Sequence, residues 1–279
     1  MTVAVAANFP DGVVLGVDSA VSLSDASGQV VKVYENAEKL FQIGEKPIGI
    51  AAFGLVILGA RGIGSYLREF EINNPDEIIS KAASVENVVE ELRKFFMQIY
   101  QTTVIPELEV QKGKKFAELT DKEKPVLGLA VGGFSGANPF SEIWEILIPI
   151  HHTPNSAKQW CHPKDFRCAW FAINEPIYRY TKGYDRSLLQ ELKSHIGNLR
   201  GSPLNPNELQ AIDAIVAKYE YPFPCSAMPL REGIDYVRFQ VELVINHYRF
   251  SIGAPVVGGD ARIGVVTYKG EKFKILGEV

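Results

Sequence analysis

The chain has 279 residues, of which 46% are hydrophobic and 22% charged, enough for one large domain with an ample core. Its net charge of −4 gives no basic field for nucleic acid and no polybasic patch for a membrane surface. No apolar run approaches the roughly 18–20 residues that span a bilayer. Cys161, Cys168 and Cys225 are few and odd in number, and no charged leader precedes an apolar block at the N-terminus. Both features fit a reducing compartment, so the expected location is the cytoplasm.

In chain order, "TVAVAAN" and "GVVLGVDSA" read as two strands around the turn signal Pro10-Asp11-Gly12. "QVVKVYENAEKLFQI" reads as two short strands and "KPIGIAAFG" as another, ending at Gly54. "LVILGARGIGSYLREFE" has helical spacing despite its glycines, and "SVENVVEELRKFFMQIY" is a stronger helix behind a Ser84 cap. After a polar stretch, "VLGLAVGGF" and "EIWEILIPI" form a hairpin and "CAWFAINEP" a further strand. Helices follow at "DRSLLQELKSHIGNL", with Leu188, Leu189, Leu192 and Ile196 on one face, and at "NPNELQAIDAIVAKY". The longest helix is "PLREGIDYVRFQVELVINHYRF", with Pro229 at its start and a stripe of Ile234, Val237, Val241 and Ile245. "ARIGVVTYKGEKFKILGEV" closes as a hairpin. Strands, helices, strands, helices, strands is not βαβ alternation. It predicts an α+β fold, a four-layer αββα sandwich of two antiparallel sheets flanked by helices. The whole chain, 1–279, reads as a single domain.

The first hairpin sets a register. If Phe9 pairs with Gly12, Thr2 falls opposite residue 18 or 19, so Asp18 or Ser19 comes within about 5 Å of it, Cβ to Cβ. Lys39 opens "KLFQI" on the face of Phe41 and Ile43; buried there, it needs a carboxylate, and Asp18 is on a neighbouring strand. A threonine hydroxyl needs an adjacent base to act as a nucleophile, and a free α-amino group, with an unperturbed pKa of about 7.7–8.0, can serve. Removal of Met1 would give Thr2 that amine. Lys39 would lower the proton affinity of the amine and hydroxyl, Asp18 would orient Lys39, and backbone N–H groups near Gly54 could hold an oxyanion. The same residues also read as an ordinary strand threonine beside a salt bridge.

"TVAVAANFPDGVVLGVDSA", "EKLFQI" and "GIAAFG" together resemble the N-terminal half of proteasome β subunits and their bacterial relatives, including the Anbu group, within the N-terminal nucleophile hydrolases. The resemblance is clear over residues 2–75, resumes at "LAVGGFSGANPFSEIWEI" and again over "LREGIDYVRFQVELVINHYRFSIGAPVVGGDARIGVVTY". It implies the αββα fold and a threonine peptidase with Thr2 as nucleophile, Asp18 sixteen positions on, Lys39, and Gly54 as oxyanion donor. It further implies that Ala20, Val21 and Ser22 form an edge for an extended peptide, and that Ala52 and Val56 line a first specificity pocket suited to an uncharged residue. It implies a homo-oligomer, ring or ring-like, acting on peptide or unfolded protein, with no metal or organic cofactor; whether an ATPase unfoldase partners it is left open.

The sequence departs from the family pattern in several places. Asn174 stands in "AINEP" where the family has a serine, and Ala254 and Val257 stand where it has an aspartate and a serine, with Ser251 and Asp260 nearby. Ala20 replaces an arginine, and residues 200–228 read as a helical insertion. Two other functions stay open: a non-catalytic ring subunit, and an amidase of the same superfamily acting on a small amide. His151, His152, Cys161, His162 and Cys168 cluster in sequence, but their spacing matches no regular zinc pattern, and a loop is expected. "GLVILGARGIG" lacks phosphate-loop spacing, and "WFAINEPIYRYTKGY" reads as core and subunit interface.

Overall fold

The computed structural model describes residues 2–24, 30–44, 46–74, 84–221, 223–253, 256–268 and 274–276. In chain order these form β1 (Val3–Phe9), β2 (Gly12–Asp18), β3 (Val21–Ser24), β4 (Val30–Tyr34), β5 (Leu40–Gln42), β6 (Ile48–Gly54), β7 (Ile57–Leu58) and β8 (Arg61–Gly62). Then come α1 (Ile63–Asn73), α2 (Val85–Ile99), α3 (Ile105–Lys112), β9 (Leu127–Phe134), β10 (Ser141–Ile148), β11 (Lys158–Cys161) and β12 (Cys168–Ala172). The remainder is α4 (Glu175–Lys182), α5 (Arg186–Arg200), α6 (Pro206–Val216), α7 (Leu230–Phe250), β13 (Ala261–Thr267) and β14 (Lys274–Leu276).

Two five-stranded antiparallel sheets carry the structure, in the orders β12-β1-β2-β13-β14 and β11-β10-β9-β6-β5. The strands alternate their side chains between two apolar layers. Ala4, Ala6, Val13, Leu15 and Val17 of the first sheet meet Leu40, Ala51, Phe53 and Ala130 of the second. The opposite face of the second sheet, with Ile48, Ile50, Leu129 and Ile146, packs under α1 and α2 through Phe70, Leu92 and Phe96. The outer face of the first sheet packs against α7. Gly16 has no side chain in the path of Val237 and Val241, so α7 lies close to β2. The architecture is therefore α+β in four layers, α-β-β-α, as the element order predicts. Because β1 and β2 are covered on both faces, all seven residues of each are buried, which explains their unbroken apolar runs.

Several elements differ from the sequence expectation. The helix over "LVILGARGIGSYLREFE" starts only at Ile63, because Gly59 sits at φ 58° in a tight turn between β7 and β8. The helix after Ser84 continues through a π-helical turn, Tyr100–Val104, into α3, with Pro106 tolerated in the first turn. Ser84 does cap α2, accepting from Asn87 N at 3.1 Å. "KQWC" is an edge strand paired with β10 rather than loop. In α7 the buried stripe runs through Gly233, Val237, Gln240, Val241 and Val244, and Ile234 and Ile245 are half-buried at its margins.

Residues Asn174–Pro224 form a second compact unit, apart from the one formed by Met1–Ile173 and Cys225–Val279. It holds α4, α5 and α6. Asp185 caps α5 and Asn205 closes a capping box with Glu208 on α6. Lys182 pairs with Glu220 at 2.7 Å, and Lys193 and Arg200 of α5 pair with Asp213 and Glu208 of α6.

Candidate active site

The turn at Pro10-Asp11-Gly12 sets β1 against β2 with Phe9 opposite Gly12 and Ala4 opposite Val17. Continued by two residues, that register puts Thr2 opposite Ser19 and Val3 opposite Asp18. Thr2 precedes the strand but is held to its line, since its carbonyl accepts from Ile173 N at 3.1 Å. Its side chain has the parity of Ala4 and Ala6, which face the second sheet.

Lys39 comes from that second sheet. It lies just ahead of β5, and its carbonyl accepts from Ala52 N of β6 at 2.8 Å. Its ammonium donates to Thr2 Oγ1 at 2.9 Å and to Asp18 Oδ1 at 2.9 Å. Thr2, Asp18 and Lys39 are at most 2% exposed. The structure thus brings together the three side chains that the sequence singles out, with Lys39 at the centre.

Asp18 is fully engaged. Oδ1 accepts from Val3 N at 3.1 Å and from Lys39; Oδ2 accepts from Ala20 N and from Gly258 N, each at 3.3 Å. A carboxylate offers about four lone-pair sites, so none is left over. Burial pushes the Asp18 carboxyl above its ordinary pKa, opposed by the Lys39 charge and the N–H donors. Burial likewise lowers the Lys39 ammonium below an ordinary lysine, opposed by Asp18.

Gly54 ends β6. Its φ of 73° suits glycine, and a Cβ there would run into Val126 O. Within β6 the N–H groups alternate between the two edges, and Ala52 N points away from β9, to Lys39 O. By that alternation the Gly54 N–H lies on the strand edge that carries Lys39.

The other singled-out residues are spread more widely. Val21 and Ser22 belong to β3, which pairs with β4 alone among the described residues, leaving its second edge open. Ala20 is buried, and its N–H is shared between Asp18 and Gly258 O, 3.1 Å away. Ala52 is fully buried in the layer between the second sheet and α1 and α2, and Val56 packs half-buried at the edge of that layer.

Ser251 lies at the end of α7, exposed, where its hydroxyl donates to His247 O at 2.7 Å. Asp260 is an exposed residue ahead of β13. Asn174 is the N-cap residue of α4, its carbonyl accepting from Tyr178 N at 2.9 Å. Met1 and Ala254 lie outside the described residues.

Sequence reasoning names Ser19 only as an alternative to Asp18 opposite Thr2 and does not reach its linking role. Its hydroxyl donates to Glu35 O and accepts from Asp260 N at 2.8 Å, and its carbonyl accepts from Ala37 N at 2.7 Å. One buried side chain thereby ties the end of β2 both to the segment leading into Lys39 and to the loop that supplies Gly258 N to Asp18. Gly259, at φ 69°, fits this knot because a Cβ would strike Ser19 Oγ and Glu35 O. The available signal is the pair "DS" and "GGD": β2 and β13 are neighbours, with Asp18 opposite Ala261, so both motifs meet at one strand end.

Cys168 Sγ donates to Gln240 Oε1 at 3.2 Å, and His151 Nδ1 accepts from Leu147 N at 3.0 Å. Among the described residues no group of three or more His, Cys, Asp or Glu side chains is placed to hold a metal ion. Among them, too, no helix is long and apolar enough to cross a membrane.

No protein-family model and no curated protein matches the chain. Among solved structures, it is similar to one described as Anbu (ancestral beta-subunit) from Yersinia bercovieri, at 10% identity and a TM-score of 0.49. That match covers 99% of this chain and 87% of the other.

Proposed function

We propose that the protein is an N-terminal threonine peptidase of the N-terminal nucleophile hydrolase type. The observation that carries this reading is the saturation of Asp18. Lys39, as a cation, only donates, and Asp18 has no lone pair free for the Thr2 proton. The cluster therefore holds a hydroxyl beside a buried ammonium and still needs a base. Removal of Met1 would supply one at the right place, the α-amine of Thr2 itself.

In this reading the amine takes the Thr2 hydroxyl proton as Oγ1 attacks a peptide carbonyl. The tetrahedral oxyanion is held by the Gly54 N–H. Its collapse expels the amine half of the substrate, which leaves with the proton, and Thr2 carries the acyl half as an ester. Water, deprotonated by the same amine, hydrolyses the ester. Lys39 keeps the proton affinity of the amine and hydroxyl low, and Asp18 holds Lys39. An extended peptide would pair along Ala20 and the open edge of β3 at Val21 and Ser22, with Ala52 and Val56 near its first side chain. The working form would be a ring or ring-like homo-oligomer in the cytoplasm, acting on peptide or unfolded protein. The position of Ser251, spent on His247 O, favours a second reading, a non-catalytic subunit of the same fold whose amine lacks serine support.

The test begins with the intact mass of the protein from its own cell, which should correspond to a chain starting at Thr2. That form should be labelled by a threonine-directed epoxyketone and should cleave fluorogenic peptides, and Thr2→Ala should abolish both without changing oligomer size. A processed chain with neither labelling nor turnover would leave the non-catalytic reading.

A further inference from the structure

The peptidase reading asks for a free amine on Thr2, and the fold restricts when that amine can be made. Thr2 is 2% exposed and Val3 is fully buried. The Thr2 carbonyl accepts from Ile173 N, and Val3 N donates to Asp18 Oδ1, each at 3.1 Å. β1 is not an edge strand. It has β12 on one side and β2 on the other, with Val3 opposite Ala172 and Ala4 opposite Val17. A peptidase acting in trans must draw the bond it cuts, and the residues just beyond it, out of any sheet and into its own cleft. Cutting between Met1 and Thr2 therefore needs Thr2 and Val3 free of β12, Asp18 and Lys39.

The site is also poorly equipped to cut this bond itself. With Met1 in place the Thr2 nitrogen is an amide and not a base. Lys39 only donates, and the four lone-pair sites of Asp18 are filled. Neither side chain takes the Thr2 hydroxyl proton for an attack on the Met1 carbonyl.

We infer that Met1 is removed by a separate aminopeptidase acting on the unfolded or growing chain, and that a chain which folds first keeps Met1. Water is the co-reactant. Its hydroxyl goes to the Met1 carbonyl carbon and its proton to the Thr2 nitrogen. Sequence distance supplies the opportunity. Asp18 and Lys39 follow Thr2 closely, but the partners on the other side of β1 are Cys168–Ala172 and Ile173. At about 5–20 residues per second, synthesis reaches Ile173 roughly 10–35 s after Thr2. Until then β1 lacks one of its two neighbours. The inference rests on the peptidase reading, and it makes the ratio of trimming to folding the control on how many copies gain the nucleophile.

Timed addition of an aminopeptidase tests it on the full-length chain. The chain is made in a reconstituted translation system without aminopeptidase, with any N-formyl group removed enzymatically in every arm. A methionine aminopeptidase that trims a synthetic peptide of residues 1–9 is added at the start of synthesis, after release and folding, or not at all, and intact mass is followed. Addition at the start should give chains beginning at Thr2. Addition after folding should trim at least about 100-fold more slowly than the peptide, the factor for opening two hydrogen bonds of which one is to a carboxylate. Folded chain that is unfolded in urea and diluted into the aminopeptidase should be trimmed many-fold faster than the folded chain, which assigns the protection to the fold. Trimming of the folded chain within a few-fold of the peptide's rate, loss of methionine with no aminopeptidase present, or resistance that survives urea would each overturn the inference. Failure of the trimmed protein to react with an epoxyketone would count against the peptidase reading alone and leave the timing result standing.

Discussion

Lys39→Met isolates the central charge of the candidate site while keeping most of the buried stem. In the wild type the Lys39–Asp18 pair is 2.9 Å apart, and both side chains are fully buried. Removing one partner of such a pair typically costs 3–5 kcal/mol, because the other charge stays buried without compensation. Here Asp18 keeps its three backbone donors, Val3, Ala20 and Gly258, so the lower end, about 3 kcal/mol, is expected. Asp18→Asn in the Lys39→Met background should restore much of that loss, since no buried charge then remains. Urea unfolding of the four proteins gives the cycle directly.

The cycle has a pH signature. Burial already raises the Asp18 carboxyl and Lys39 opposes that rise, so losing Lys39 raises it further. A carboxyl whose folded pKa lies above its unfolded value favours folding at low pH and disfavours it as pH rises through the folded pKa. The deficit of Lys39→Met should therefore be smaller at pH 5 than at pH 8. A variant as stable as the wild type at pH 8, or one whose deficit grows on acidification, would refute the buried, ionised pair on which the site rests.

Two other changes probe buried polar groups, one between β5 and β6 and one beside the site. Lys46 is 2% exposed, its ammonium has no partner among the described residues, and burial lowers its pKa to about 8. Against the usual 10.5, that shift corresponds to about 3 kcal/mol of stability that is present above the unfolded pKa and lost as pH falls to 8. Lys46→Met should accordingly be more stable than the wild type at pH 7, by up to about 3 kcal/mol, with the advantage shrinking between pH 8 and 10.5 in urea titrations. Ser19→Ala leaves the part-buried Asp260 N–H without its acceptor and should cost about 1 kcal/mol; in the processed protein it should also slow epoxyketone labelling, whereas unchanged labelling would mean that the knot does not position Lys39 or Asp18.

What is legible in the sequence follows the range of the interactions involved. The Pro10-Asp11-Gly12 turn is local, so residue types alone set the β1–β2 register and bring Asp18 to the end of β1. The Ser84 cap is local too. Lys39 can be placed because a buried lysine requires a carboxylate, and few are within reach. The linking role of Ser19 escapes because its partners, the Glu35 carbonyl and the Asp260 N–H, are backbone groups that carry no signature in residue type. α5 is a related case, with Leu188, Leu192 and Ile196 exposed: helical periodicity identifies an apolar face but not whether it is covered. Gly59 shows the opposite failure, where apolar spacing suggests a helix and a single left-handed residue instead makes a turn.

A buried ion pair is weak evidence for stability, since apolar replacements of the same volume often fold as well or better. If Lys39 and Asp18 were only structural, the simplest partner for the ammonium would be the carboxylate alone, and a small apolar residue would serve at position 2. Instead the ammonium is shared between Asp18 and the Thr2 hydroxyl at equal distances of 2.9 Å. That sharing leaves the hydroxyl accepting from a cation, the arrangement that favours its ionised form. A proton acceptor is the missing element, and Asp18 is excluded by its own four donors. In the proposed mechanism a group attached to residue 2, or one brought by the substrate, completes the set. Under the proposed mechanism the first of these would make removal of Met1 the switch between a folded strand end and a nucleophile, so the mass of the native chain decides more than any substitution does.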